Sequence, residues 1–291
     1  MILALTGASG FVGRHVIKAA VRRGYEVIAF SRDPSRSVGD CVETRRFSHD
    51  APLDLRGCEA VIHLAGENVA GLWTRGKMQR IRDSRVQGTR RVVEGIRALE
   101  QPPEVFVSAS AIGYYGDCGD NELTEQSLPG TDFLAETCLA WERESATPLC
   151  RVVNPRIGHV LGDGGMLGLM RPLFRLCLGG RLGNGRQWMP WIHVEDLAEM
   201  LLFAIGNLDV RGPLNATAPW PVRNADFTKA FARALHRPAF FHAPAWALRL
   251  VLREFSAELL SSKRVLPEAA TAHGFGFRFP ELIPALNDIV H

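Results

Sequence analysis

The sequence predicts an α/β protein, a doubly wound parallel sheet with a smaller mixed C-terminal domain. Three observations predict it. Short apolar runs of strand length recur at 3–6, 25–30, 60–65, 104–110 and 149–153, with helical stretches between most of them. Such alternation implies right-handed crossovers and a parallel sheet. The first run feeds straight into Gly7, Gly10 and Gly13, spaced G-x-x-G-x-x-G, and an amphipathic helix follows at once. Beyond residue 158 the alternation gives way to glycine-rich and Pro- and aromatic-broken sequence. The expected division is residues 1–160 with a return contribution from about 186–212, against a lid of 161–185 and 213–291.

Taken in order, Leu3–Thr6 is the first strand and Gly7 permits the tight turn after it. Gly10 lets a backbone approach a pyrophosphate, and Gly13 lets the helix pack closely on the strand. The free N–H groups at the start of the helix, around Ser9, Gly10, Phe11 and Val12, then face an anion at the positive end of the helix dipole. The helix, about 11–23, buries Val12, Val16, Ile17, Ala20 and Val21 at helical spacing, and Gly24 ends it. The second strand, 25–30, leads to Ser31-Arg32-Asp33-Pro34. In dinucleotide folds an acid at this tip holds a ribose 2′-hydroxyl, whereas an arginine accommodates a 2′-phosphate. Asp33 precedes proline and is expected to cap a turn. Ser31 and Arg32 therefore read as a site for NADP.

Residues 40–58 read as a weak third strand and a loop. The run Ala60–Gly66 is continuous and apolar, as a buried parallel strand should be, and its end at Leu64, Ala65 and Gly66 should pass beside the cofactor. A long helix of about 76–99 puts Ile81, Gly88, Val92, Ile96 and Leu99 on one face. Arg85 falls on that apolar stripe, and a buried arginine requires a partner. Pro102-Pro103 precedes the strand 104–110, then Ala111–Gly116, a polar loop and a helix from about Thr131 through Glu142. The strand 149–153 is expected to close at Asn154-Pro155. A short helix near 166–177 follows, then a helix through Phe203. Gly179-Gly180 and Gly183-Asn184-Gly185 suggest a mobile loop. Arg181, Arg186, Gln187 and Trp188 there would suit an anionic or hydroxylated small molecule.

With 34 basic and 31 acidic residues, the net charge of +3 is too balanced to argue for nucleic acid or a membrane. Six cysteines stand apart with no C-x-x-C pair, so no zinc or thioredoxin-like motif is supported. No apolar run is long enough to span a bilayer and nothing before the first strand reads as a leader. The expectation is a cytoplasmic monomer or homodimer that takes a small-molecule substrate.

These motifs together carry a resemblance: Thr6–Gly13, His63-Leu-Ala-Gly66, Val86-Gln-Gly-Thr89, Ser110-Ala-Ile-Gly-Tyr114, Asn154-Pro155 and Trp191–Ala198. The chain resembles the extended and atypical short-chain dehydrogenase/reductases, in the NAD(P)-dependent epimerase/dehydratase branch. Leu64–Val69, Ser108–Gly116 and Gly179–Trp188 are similar to the subgroup of epimerase family proteins with a C-terminal domain of unknown function, matched from about residue 240. The resemblance implies a Rossmann fold, bound NADP(H) and a cofactor site that takes in Pro155. It implies no particular substrate.

One departure bears on mechanism. The superfamily uses Tyr-x-x-x-Lys, and the alignment puts Phe133 and Thr137 on those positions. Phenylalanine has no proton to give and threonine no charge to tune one. The superfamily serine is retained as Ser110, and Arg85 stands where asparagine is frequent. The catalytic candidates are Ser110 and Tyr114; Tyr115 could supply the hydroxyl instead, and Glu136 could be a base or face water. His193 is expected to brace a strand–helix junction. The functional expectation is an epimerase-like NADP oxidoreductase acting on a small polar carbonyl or alcohol. The alternative is a non-catalytic NADP(H)-binding protein with a structural or redox-sensing role.

Overall fold

A computed structural model describes residues 1–35 and 38–290, so the last residue of the expected lid lies outside the described residues. The chain begins β1 (Ile2–Thr6), α1 (Phe11–Arg22), β2 (Glu26–Ser31), β3 (Glu43–Arg46), β4 (Ala60–His63), α2 (Arg75–Arg97) and β5 (Val105–Ser108). It continues through β6 (Ser110–Ala111), a 3-10 turn at Ile112–Tyr115, β7 (Glu122–Leu123), α3 (Phe133–Ser145) and β8 (Arg151–Ile157). Next come β9 (His159–Leu161), α4 (Gly165–Arg175), β10 (Gly180–Leu182), β11 (Trp188–Met189), β12 (Trp191–His193), α5 (Val194–Gly206) and β13 (Gly212–Ala216). The remainder is β14 (Val222–Arg223), α6 (Asn224–Ala234), β15 (Phe241–Ala243), α7 (Ala245–Leu252), α8 (Phe255–Leu260), β16 (Arg264–Val265), α9 (Glu268–Ala272) and α10 (Leu282–Val290).

The large sheet runs β13-β8-β5-β4-β1-β2-β3 and its pairings are parallel, with β6 added beside β8. Strands β1, β4 and β5 carry apolar side chains toward both faces because helices cover both. On one face Val16 and Ile17 of α1 pack with Leu197 and Leu201 of α5. On the other, Val92 and Ile96 of α2 pack with Val61 and Phe106. Each such fully buried aliphatic side chain contributes about 1.5–3 kcal/mol through water exclusion. After β3 the chain crosses to the other side of β1, so the strand order reverses between β1 and β4. In doubly wound sheets it is at such a switch point that ligands bind.

Helix boundaries follow local chemistry. Thr74 caps α2 by accepting from the Lys77 N–H at 3.2 Å, and Asp132 caps α3 by accepting from Ala135 at 2.9 Å.

Strand β8 differs from expectation, since it runs through Asn154-Pro155 rather than ending there. The proline is tolerated because the neighbouring strand is interrupted opposite it. Residues 151–153 pair with β5 and 156–157 with β6, leaving Asn154-Pro155 facing the Ala109 break. The return contribution to the large sheet also reaches further than 212, because β13 continues to Ala216 beside β8. A second core, with Trp191, Phe227, Phe231 and Leu286, joins β12, α6 and α10.

Candidate functional site

The glycine turn has the geometry of an anion cradle. Gly7 has φ +71°, and a Cβ there would stand 2.9 Å from the Leu64 carbonyl carbon. Gly10 is the N-cap of α1 with no side chain capping it, so the opening N–H groups of the helix have no intrahelical acceptor. Ser9 and Gly10 are exposed at the mouth, and Val12 is half-buried. The Phe11 ring turns away to pack under Gly162, Gly164 and Gly165, where Cβ atoms would lie 2.5, 2.8 and 3.2 Å from it. That packing accounts for the glycines after β9.

Thr6 ties this turn to the end of β4. Its hydroxyl oxygen accepts from the Leu64 and Ala65 N–H groups, both at 3.2 Å, so its proton goes to His63 Nδ1 at 2.7 Å. His63 is fully buried, and burial pulls its pKa down to about 3, with His49 and Arg85 adding to the effect. It is therefore neutral, and its Nε2 is buried without a hydrogen-bond partner among the described residues. Sequence reasoning named His63 only as part of a motif; its partnership with Thr6 sets Leu64, Ala65 and Gly66 beside the glycine turn.

Arg85 lies where the helical stripe placed it. Its Nη1 donates to the Glu67 carbonyl at 3.0 Å and the Ile81 carbonyl at 3.1 Å, and its guanidinium lies 5.1 Å from the Trp141 ring centroid. Gly66 faces the guanidinium: a Cβ there would be 3.5 Å from its Cζ. Among the described residues no carboxylate bonds it, since the Glu67 carboxylate goes to Lys77 at 2.7 Å. Burial lowers its pKa. A guanidinium satisfied only by carbonyls keeps its charge for a ligand.

At the tip of β2, Arg32 is exposed, and Ser31 accepts from the Asp33 N–H at 3.2 Å. Asp33 accepts from the Ser35 N–H at 3.2 Å, forming the turn expected of it before Pro34.

Ser110 and Tyr114 are linked through Arg156, Tyr114 directly and Ser110 by way of Glu142. Ser110 is 2% exposed, and its hydroxyl donates to Glu142 Oε1 at 2.7 Å. Glu142 in turn accepts Arg156 Nε and Nη2 at 2.9 Å each, a bidentate pair. The Tyr114 ring lies on the same guanidinium, 3.4 Å from Cζ to centroid. Tyr115 accepts from Arg156 at 3.0 Å and donates to Asn215 Oδ1 at 2.6 Å. Burial pushes the Tyr115 phenol up to about 12. Glu125 accepts the N–H groups of Asn215 and Ala269, which carries the network into the C-terminal segment. Pro155 is buried in β8 directly before Arg156.

Sequence reasoning missed Glu142 and Arg156. No sequence signal placed Arg156 inside a strand, because the strand was expected to close at Asn154-Pro155 and only the structure carries it past the arginine. Where the superfamily pair would stand, Thr137 is fully buried and donates back to the Phe133 carbonyl at 2.7 Å. The Phe133 ring packs 5.4 Å from Trp73, which packs 5.5 Å from Phe255 of α8. The buried Lys263 donates to Glu258 of α8 at 2.9 Å. Glu136 is exposed. His193 caps α5, accepting from the Glu195 N–H at 3.2 Å, as expected of a bracing residue.

Within the stretch from Gly179 to Trp191 several groups are hydrogen-bonded. Gly183 and Gly185 are buried at φ +55° and +71°, where they make a tight turn, and the Gly183 N–H donates to Ala243 at 2.8 Å. Gln187 donates to the Leu182 and Leu259 carbonyls, and the Trp188 indole to Asp120 at 3.0 Å. Arg181 and Arg186 are exposed.

This cradle, at the switch point of a doubly wound sheet, is matched at the level of family. Residues 3–216 match the NAD dependent epimerase/dehydratase family, and residues 243–289 a domain of unknown function, DUF1731. The chain belongs to the epimerase/dehydratase family. It is 35% identical to epimerase family protein YfhF of Bacillus subtilis (strain 168), over 100% of this chain and 98% of that protein. It is 34% identical to the chloroplastic SDR39U1 homolog of Arabidopsis thaliana, over 100% of this chain and 87% of that one. The crystal structure of human epimerase family protein SDR39U1 (isoform 2) with NADPH superposes with TM-score 0.94 at 34% identity, covering 100% of this chain and 99% of that one. Family and fold thus agree with the resemblance read from the motifs. Among the described residues no helix is long and apolar enough to cross a membrane and no group of His, Cys, Asp or Glu could hold a metal ion. All six cysteines are free thiols.

Proposed function

We propose that this chain binds NADP(H) at the cradle of Gly7, Ser9, Gly10, Phe11 and Val12 and acts as an epimerase-like oxidoreductase on a small polar carbonyl or alcohol. The observation that carries the reading is the uncapped start of α1 at the switch point, with Leu64–Gly66 and the uncompensated Arg85 beside it. The fit is sterically defined: a side chain at Gly7 would strike the backbone of Leu64 and Ala65. Ser31 and Arg32 favour the 2′-phosphate, because the nearest acid, Asp33, already serves Ser35. The NADPH in the human relative's structure supports the same preference.

Bound NADP(H) would supply the hydride chemistry. The protein's part is to bind, orient and handle a proton. Tyr114 suits the proton, since its ring is fixed on Arg156 while its hydroxyl has no hydrogen-bond partner among the described residues. Ser110 would position it, because its own proton is held by Glu142. The second reading, a non-catalytic NADP(H)-binding protein, is favoured by the same Ser110–Glu142 bond together with Phe133 and Thr137.

Titration calorimetry with NADP(H) and NAD(H) tests the cofactor. The expectation is a preference of at least tenfold, about 1.4 kcal/mol, that Arg32→Ala removes. Equal affinities, or a preference unchanged in Arg32→Ala, would overturn it. Nicotinamide absorbance with NADPH and a carbonyl panel separates the two functional readings.

A further inference from the structure

Among the described residues, nine of the eighteen large apolar side chains that stand exposed fall in two short stretches, 169–178 and 240–251. Helix α4 buries Leu167 and Phe174 but turns Leu169 and Leu173 outward, and Leu176 and Leu178 continue the exposed line. Helix α7, Ala-Trp-Ala-Leu-Arg-Leu-Val-Leu, has no buried residue at all. The stretches are joined: β10 pairs with β15, and Arg237 Nε donates to the Arg175 carbonyl at 3.3 Å. Phe240 at 88%, Leu250 at 74% and Trp246 at 69% exposure project into solvent rather than line a cavity.

Charge on this face is mainly positive, with Glu254 exposed at its edge just after α7. From 164 to 194 and from 227 to 253 the sequence holds nine lysines and arginines and no acid. Arg175, Arg237, Arg249 and Arg253 are exposed, and none meets a carboxylate among the described residues. We propose that the face formed by α4, β15 and α7 docks on an anionic lipid surface. Projecting leucine, tryptophan and phenylalanine enter the headgroup boundary, and the arginines meet the lipid phosphates. A second copy docked symmetrically would set this cationic array against itself, which disfavours a dimer here. Neither segment spans a bilayer, so the contact is peripheral.

Co-sedimentation of the full chain with phosphatidylglycerol/phosphatidylcholine vesicles, against phosphatidylcholine alone, tests the proposal. Binding should be roughly tenfold or more stronger on anionic vesicles and should fall at about 0.5 M salt. Trp246→Ser with Leu250→Asp, and separately Arg249→Glu with Arg253→Glu, should each abolish it while leaving melting temperature and NADPH affinity unchanged. Absence of anionic preference, or binding that survives both double variants, overturns the proposal. So does light scattering that shows a dimer which Leu250→Asp converts to monomer, because a second copy is then the occupant. Vesicle binding lost only together with the folded signal is resolved by the arginine pair, whose side chains pack on no core cluster.

Discussion

Gly13→Ala sets two local effects against each other, and the structure says which wins. Gly13 lies inside α1, where alanine is favoured over glycine by about 1 kcal/mol. Yet a Cβ there would stand 2.2 Å from the Gly7 carbonyl oxygen and 2.8 Å from both Cα and carbonyl oxygen of Ala8. All three are backbone atoms, so no side chain can swing aside. Overpacking of this kind costs about 3 kcal/mol. After the helix gain is subtracted, a loss of about 2 kcal/mol remains, or about 5 °C in melting temperature for a chain of this size. Because the strain falls on the anion cradle, NADPH affinity should drop roughly a hundredfold, about 2.7 kcal/mol. Gly206, the last residue of α5, has nothing within 4 Å of its Cβ position, so Gly206→Ala should hold or raise stability with unchanged affinity. Circular dichroism melts and NADPH fluorescence titration read both effects. A Gly13→Ala protein that melts at or above the wild-type temperature and binds NADPH normally would refute the steric argument.

Three further outcomes follow from the buried network. Glu142→Gln leaves the Arg156 guanidinium buried without its carboxylate and should cost about 3 kcal/mol in urea unfolding, well above Ser110→Ala at about 1 kcal/mol; the reverse order would show that the ion pair is not the anchor. Once a turnover substrate is in hand, Tyr114→Phe should lose far more activity than Phe133→Ala at equal cofactor affinity, and the opposite result would show that the helix alignment at Phe133 is wrong. Burial lowers the pKa of His63, and of His15, His159 and His193 as well, so the unfolded chain takes up protons that the folded chain refuses. Stability is therefore full above about pH 6.5 and declines as pH falls toward 3, with His63 alone contributing a slope of up to about 1.4 kcal/mol per pH unit. The gap between urea midpoints at pH 7 and 5 should narrow in a His63→Gln variant, with the other three histidines keeping the remainder, and an undiminished slope would assign the effect elsewhere.

The sequence by itself determined what depends on local sterics and periodicity. The spacing of Gly7, Gly10 and Gly13 specifies a turn, an uncapped helix start and a close helix–strand contact, because backbone clashes act over a few residues. Helical period placed Arg85 on the buried stripe of α2, and the turn chemistry of Asp33-Pro34 was legible for the same reason. Only the tertiary structure decided who meets whom. Ser110, Glu142 and Arg156 are far apart in the chain and come together through the β6–β8 pairing and the packing of α3, so the engagement of the Ser110 proton left no local mark. Pro155 could continue a strand because its neighbour breaks at Ala109, a fact of sheet register. That the turn of Gly183 and Gly185 is buried beside the β10–β15 pairing likewise left no local mark. The net charge of +3 averaged away the exposed arginines gathered near α4, β15 and α7, because a sum over the chain carries no information about which side chains the fold brings to one surface.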